Sequence, residues 1–364
     1  MIRFKQMPSV MRAGMALIAA GAAGMSCSGL SAATVEDLYS VTVSRSLEQA
    51  PGQAPRTQDD EIRFALSQLL PRVTGRLDAA LEPALADMLQ NARAYLVQIG
   101  SLDRETLLVT FDARAIEAAL VARNQPIWGP ERPLTLLWLA IDTGQGERGI
   151  LPAGEALTDV SPEFLELRAN FREELTTVAE ERGLPLSLPL MDLEDMNALS
   201  FIDIWGGFTD QVQEASIRYG ADAVLSGRAR VSAFGVNVQW TLLKDGGQFA
   251  LGGTSMRDGL NRLADFYAAE FSTFGGVRAT LITVLGVETL DDYGRIMSYL
   301  DSLSLLESVG VEEFVEGALT VRVDARGGTA VLERVLGLST VLTPAAGPLG
   351  QVANDDQLTY TLTR

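Results

Sequence analysis

Leu134-Thr135-Leu136-Leu137-Trp138-Leu139-Ala140-Ile141 is the stretch on which the fold turns. It is apolar almost without interruption, but far shorter than the roughly 20 residues of a membrane span. A run of this length and pattern reads as a strand covered on both faces, which places helices on either side of a sheet. Downstream, Ser161-Pro162 gives the preferred order of cap and first-turn proline. Phe164, Leu167, Phe171, Leu175 and Val178 follow at helical spacing, with Gly183 as the stop. The loop Gly144–Gly154 between these segments is glycine-rich and is expected to be mobile. Leu184–Leu190 reads as a short strand broken by prolines. A helix carrying Phe208, Val212, Ala215 and Tyr219 is expected to end at Gly220. Ala223–Val231, Val236–Leu243 and Gln248–Leu251 read as a meander that turns at Asp245-Gly246-Gly247. A helix with Leu260, Leu263, Ala264, Tyr267 and Phe271 closes this central unit, residues 127–275.

Two further α+β units flank it. In residues 34–126 a strand at Leu38–Val43 precedes a loop with Pro51, Gly52 and Pro55. Thr57 with Asp60 gives a capping-box-like helix start, Gly75 a stop, and Pro71 an expected kink. A second helix is expected over Pro83–Leu96, then a hairpin (Tyr95–Ile99, Glu105–Phe111) and a helix capped by Asp112. Residues 276–364 read β-α-β-β-α-β, a ferredoxin-like order, with strands at Arg278–Val287 and either side of Glu316-Gly317, and a closing strand at Leu338–Leu342. A final hairpin, Leu349–Val352 with Leu358–Leu362, hangs on the end. The predicted fold class is therefore mixed α/β (α+β) in three small units.

The N-terminus reads as a secretory signal over residues 1–33. Arg3, Lys5 and Arg12 precede the apolar run Ala13–Met25, and Ser31-Ala32-Ala33 supplies small residues for cleavage after Ala33. The rival reading is lipid attachment at Cys27, although Gly24-Met25-Ser26 lacks the leucine usual before such a cysteine. Either way the expected location is the periplasm. No transmembrane helix is expected once the signal is removed. Processing would move the net charge from −18 to −21. Beyond Lys5 the only lysine is Lys244, which argues against nucleic acid as a partner. Cys27 is the sole cysteine and histidine is absent. Imidazole bases, Ser-His-Asp and Cys-His catalysis and the usual zinc or copper ligand sets are therefore unavailable. No cofactor is expected.

Two constellations remain. Asp192, Glu194 and Asp195, with Asp203 nearby, offer paired carboxylates for acid–base work or a hard metal ion. The bland alternative is that Asp192 caps a short helix and Asp195 sits in its first turn. Trp205-Gly206-Gly207-Phe208, with Trp128, offers aromatic rings for a small apolar or glycan ligand; the bland alternative is a plug at a sheet end. Arg218, Arg228 and Arg230 offer an anion-binding patch, or else pair with neighbouring carboxylates. Gly144-Gln145-Gly146 and Gly220-Ala221-Asp222 lack the strand–glycines–helix order of a phosphate loop.

Several segments resemble a family of exported proteobacterial proteins known as domain of unknown function 2066. They are Ile127-Trp128-Gly129 through Trp138-Leu139-Ala140, Leu188-Pro189-Leu190-Met191-Asp192-Leu193-Glu194-Asp195, Trp205-Gly206-Gly207-Phe208 and Arg218-Tyr219-Gly220-Ala221-Asp222-Ala223. The resemblance implies an envelope protein and supplies no activity or site residues. The order of elements in the central unit, with Tyr219–Arg228 entering the meander, is loosely similar to small α/β modules of periplasmic assembly proteins. Among these are the curli-secretion lipoprotein, the N-terminal domain of the Tol translocation protein and penicillin-binding-protein activators. That likeness implies a non-enzymatic module that binds partners, here expected to be other envelope proteins; exposed strand edges in the second or third unit are the expected docking sites, by strand addition. The competing expectation is a carboxylate-dependent hydrolase or lyase built on the acidic cluster.

Overall fold

A computed structural model describes residues 33–35, 37–44, 57–154, 160–345 and 357–363. The signal segment with Cys27, the Pro51–Pro55 loop and the hairpin arm Leu349–Val352 lie outside the described residues. The chain is mixed α/β, with three substantial sheets and helices around them.

In the N-terminal unit β1 (Ala33–Thr34) precedes β2 (Ser40–Ser44) and α1 (Gln58–Thr74). Thr57 and Asp60 form the full capping box, and Gly75 ends α1 in the left-handed region at φ 72°. A Cβ on Gly75 would lie 2.3 Å from the Cβ of Ala268, so only glycine allows this close approach of the first unit to the second. The helix expected over Pro83–Leu96 is instead a chain of short turns around α2 (Ala86–Gln90). Pro83 starts one turn, and no alternative cap holds a longer run together. β3 (Leu96–Ser101), β4 (Thr106–Phe111) and α3 (Ala113–Ala122) complete the unit, with sheet order β2-β4-β3.

The central sheet starts after β5 (Glu131–Arg132), which pairs with β1. All of β6 (Thr135–Asp142) is buried. The expected mobile loop contains β7 (Arg148–Ile150), which pairs back onto β6, so this stretch is largely a hairpin. Then come α4 (Pro162–Arg182), β8 (Leu186–Ser187), α5 (Leu193–Ala198), α6 (Phe201–Gly206) and α7 (Thr209–Ser216). The meander β9 (Ala223–Ser232), β10 (Gly235–Lys244) and β11 (Gly247–Leu251) follows, and α8 (Met256–Phe271) ends the unit. The order is β11-β10-β9-β6-β7, with β8 beside the start of β6. Asp245 and Gly246 both have positive φ, as the tight β10–β11 turn requires. Leu137, Leu139 and Ile141 face α4 and α8, whereas Leu136, Trp138 and Ala140 face α5–α7.

The third sheet contains β12 (Val277–Leu285), β13 (Leu306–Val315), β14 (Ala318–Arg326), β15 (Leu342–Pro344) and β16 (Gln357–Leu362). Helices α9 (Leu290–Ser302) and α10 (Thr329–Gly337) pack on it. The split βαβ is present as β13-β14-β12. The ferredoxin-like order then departs from plan, because β16 inserts parallel to β12 and pushes β15 out to the edge. The last strand is thus interior to the sheet and not an appended hairpin arm. The apolar interior of this unit is continuous with that of the central unit.

Polar side chains join the three parts. Fully buried Arg132 donates to five carbonyls, those of Gly129, Arg182, Gly183, Arg72 and Trp128, at 2.7–2.9 Å. Its guanidinium stacks on Trp128 at 3.8 Å. Three of these carbonyls lie at the C-terminal ends of α1 and α4, where the helix dipole favours a cation. Burial, with Arg72 nearby, lowers its pKa to about 9, so it remains charged at neutral pH. Arg182, also buried, reaches the Gly75 carbonyl, Asn261 and Asp265. Glu117 accepts from Tyr39 at 2.6 Å and Arg326 at 2.8 Å, and Glu131 accepts from Ser304 at 2.6 and 2.7 Å.

A buried charge costs several kcal/mol, and five charge-assisted hydrogen bonds of about 1.5–3 kcal/mol each offset that cost only while all are made. Arg132→Leu is expected to destabilise the fold by about 3–5 kcal/mol, read by urea unfolding. Arg132→Lys should recover only part of this, since an ammonium cannot span the same fork of carbonyls.

Candidate functional site

Three of the four acids, Asp192, Glu194 and Asp195, gather around Arg218, and Asp203 stands apart. Asp192 caps α5, accepting from the Asp195 amide at 3.0 Å, and Arg218 grips its carboxylate at 2.8 and 2.9 Å. Asp195 is fully buried: Oδ1 takes Arg218 at 2.9 Å, while Oδ2 takes the Met191 amide at 2.8 Å and the Tyr219 hydroxyl at 2.5 Å. Glu194 is exposed, 3.5 Å from Arg218. Asp203 turns away to cap α6 with Ser200. Among the described residues no group of three or more acids is placed to hold a metal ion. Arg218 and the helix-start amides thus use up the carboxylate oxygens, and the set locks the start of α5 to the end of α7. The Arg218 contact, then the Asp195 amide, hold the Asp192 carboxyl well below the usual aspartate range. Burial and the bond to Asp195 raise Tyr219 to about 12.

The aromatic candidates separate as well. Trp128 is a core residue sandwiched by Arg132, so it cannot line a binding cleft. Trp205 and Phe208 stay at the surface. Trp205 is half-buried and stacks on Phe201 at 5.2 Å, and Phe208 is 50% exposed. The Phe208 ring folds back over Gly206, where a Cβ would lie 2.7 Å from it. Trp205 therefore lies beside Arg228 and Arg230, while Phe208 folds over the end of α6.

A large concavity lies elsewhere, between the N-terminal and central units. It is an open groove of about 1080 Å³ lined by β2, α1, α4 and the Leu184–Leu188 segment. β2 is an edge strand. The bond from the Phe111 amide to the Tyr39 carbonyl makes that pair hydrogen-bonded, so the alternation leaves the main-chain groups of Ser40, Thr42 and Ser44 facing outward. Arg72 takes the Ser40 carbonyl at 2.8 Å. Those of Thr42 and Ser44 face the groove. The long edge β13 of the third unit differs: two register shifts interrupt it and exposed Glu307, Glu312 and Glu313 line it, devices that discourage strand addition. Sequence reading missed β2 as the accessible edge because nothing local marks which strand of a sheet is outermost.

The chain is thus a three-sheet α/β protein whose distinguishing surfaces among the described residues are a groove with an outward strand edge and an aromatic rim, with Asp192, Asp195 and Asp203 engaged in caps and ion pairs. Residues 32–129 match a family described as a domain of unknown function, DUF8605. That segment covers the N-terminal unit and ends at the start of the central one. No curated protein matches, and no solved structure matches. No helix among the described residues is long and apolar enough to cross a membrane.

Replacing Arg218 with Ala should return the Asp192 carboxyl towards the ordinary range of about 4, measured by carboxyl-carbon NMR titration. Because the folded pKa is depressed, the stability this pair contributes is present above that range and disappears as pH falls through the depressed value. An unchanged Asp192 titration in the variant would remove Arg218 as the cause.

Proposed function

We propose that this is an exported envelope protein that works by contact with other proteins and catalyses no reaction, as its resemblance to domain of unknown function 2066 and to periplasmic assembly modules implies. The observation that carries the reading is the groove with the outward main-chain groups of Thr42 and Ser44 along one wall. An extended segment of a partner laid there gains hydrogen bonds from the strand edge, whatever its sequence. Half-buried Leu186 and Leu188 on the opposite wall offer contacts for alternate side chains. The absence of histidine from the chain and the commitment of Asp192, Asp195 and Asp203 to structural bonds support contact over bond-making. The hydrolase or lyase alternative has no such observation in its favour.

The test places a photo-cross-linking residue at Thr42, Gln68 or Thr176 in the groove, and at Leu290 on α9 as an exposed control. In intact cells, the groove positions are expected to trap one or a few defined proteins that the control does not. Thr42→Pro removes an outward amide without touching the β2–β4 ladder and should abolish the trapping. Equal capture from Leu290, or trapping unaffected by the proline, would sink the reading.

A further inference from the structure

Of the three arginines flagged in the sequence, Arg218 is consumed by Asp192, Asp195 and Glu194, but Arg228 and Arg230 have no carboxylate partner among the described residues. Their contacts are to Trp205: Arg228 donates to its carbonyl at 3.3 Å and Arg230 lies 5.4 Å from its ring. Both guanidinium groups stand uncompensated on one sheet face in a chain whose carboxylates outnumber cations 47 to 29.

Their surroundings form a site. Arg228 and Arg230 are two apart on β9, so both point to the same face as Val224, the face that α5–α7 cover over β6. That helical layer stops at β9. Opposite Arg228 and Arg230 on β10 stand Gln239 and Asn237, both exposed, with Thr241 and Ala250 continuing the same face towards β11. The result is an uncovered polar sheet surface, walled on one side by Trp205-Gly206-Gly207-Phe208. Gly207, at φ 75°, brings its backbone within reach of Arg228. The nearest acid in register, Asp142 opposite Arg230, is occupied by Arg148 at 3.2 Å and the Gly144 amide at 2.8 Å.

We infer that this face, with Arg228 and Arg230 as anchors and Trp205 and Phe208 as the rim, docks an acidic peptide segment of a partner protein. Guanidinium forks match carboxylates bidentately, and exposed amides of Asn and Gln satisfy a peptide backbone. The aromatic rim excludes water around the ion pairs, where they gain most. A protein partner fits the electrostatics better than an extended polyanion. The chain's overall negative field repels nucleic acid and anionic membrane at a distance, whereas a short acidic segment needs only local complementarity. This surface is separate from the groove, and the inference does not rest on strand addition there.

The test titrates the full chain with a fluorescein-labelled oligoglutamate peptide, with its oligoglutamine counterpart as the neutral control. Trp128, Trp138 and Trp240 are buried, so protection of tryptophan fluorescence from acrylamide reports on Trp205. The acidic peptide is expected to bind, to weaken with added salt and to shield Trp205, while the neutral peptide does not. Arg230→Glu, at an exposed position with no hydrogen bond to lose, should weaken binding by about tenfold or more. Arg228→Gln should weaken it as well, with near-ultraviolet circular dichroism confirming that the fold is kept. Indifference to Arg230→Glu, equal binding of both peptides, or no binding at all would overturn the inference. So would tighter binding to phosphatidylglycerol vesicles or single-stranded DNA than to the peptide.

Discussion

A single guanidinium holds the molecule's centre together. Arg132 sits where two helices end and two units meet, and each of its five N–H groups is directed at a main-chain carbonyl. Those carbonyls would otherwise be orphans of the last turns of α1 and α4 or of the Trp128–Gly129 bend. No carboxylate takes part, so the bond set has none of the flexibility of a surface ion pair. Displacing either helix leaves both a buried charge and buried carbonyls without partners. Arg182 extends the arrangement to α8, while Glu131 and Glu117 attach the third unit. The surfaces that face solvent are therefore held at fixed positions by an interior that tolerates little relative motion of its parts.

This rigidity bears on function. The groove is bounded by elements of two units, and its width is set by the same α1–α4 junction that Arg132 occupies. The face carrying Arg228 and Arg230 is set by a different circumstance, a helical layer too narrow to cover its sheet. Both surfaces are preformed, so a partner that engages them has little ordering entropy to offset.

The elements that were legible in the sequence were those whose signals are local. The β6 run, the Thr57–Asp60 box, the Ser161-Pro162 start and the Asp245-Gly246 turn all appear where their residue types require. Pairing across the chain was not legible. Nothing in Gln357–Leu362 distinguishes an appended arm from a strand wedged beside β12, because both alternate in the same way. Burial of charge was equally hidden. Arg132 and Asp195 read as surface residues by type, and only the carbonyls and the guanidinium that surround them explain their positions. For the candidate site, Trp205 and Phe208 were found from their glycines, and Arg228 and Arg230 were noticed. That these arginines lack acidic neighbours depends on where a helical layer ends, which no spacing rule conveys.

The insertion of β16 has a consequence for how the polypeptide is made. Residues 281–285 of β12 find their parallel neighbour only at 357–361, long after β13, β14 and both helices have emerged. Until then one flank of β12 has no strand against it, and closing so distant a pair is intrinsically slow. A nascent chain therefore carries a half-built third sheet while residues 286–356 are added. Postponing the wedge keeps the third unit loose until residues 357–361 arrive, and locking follows once they pair with β12.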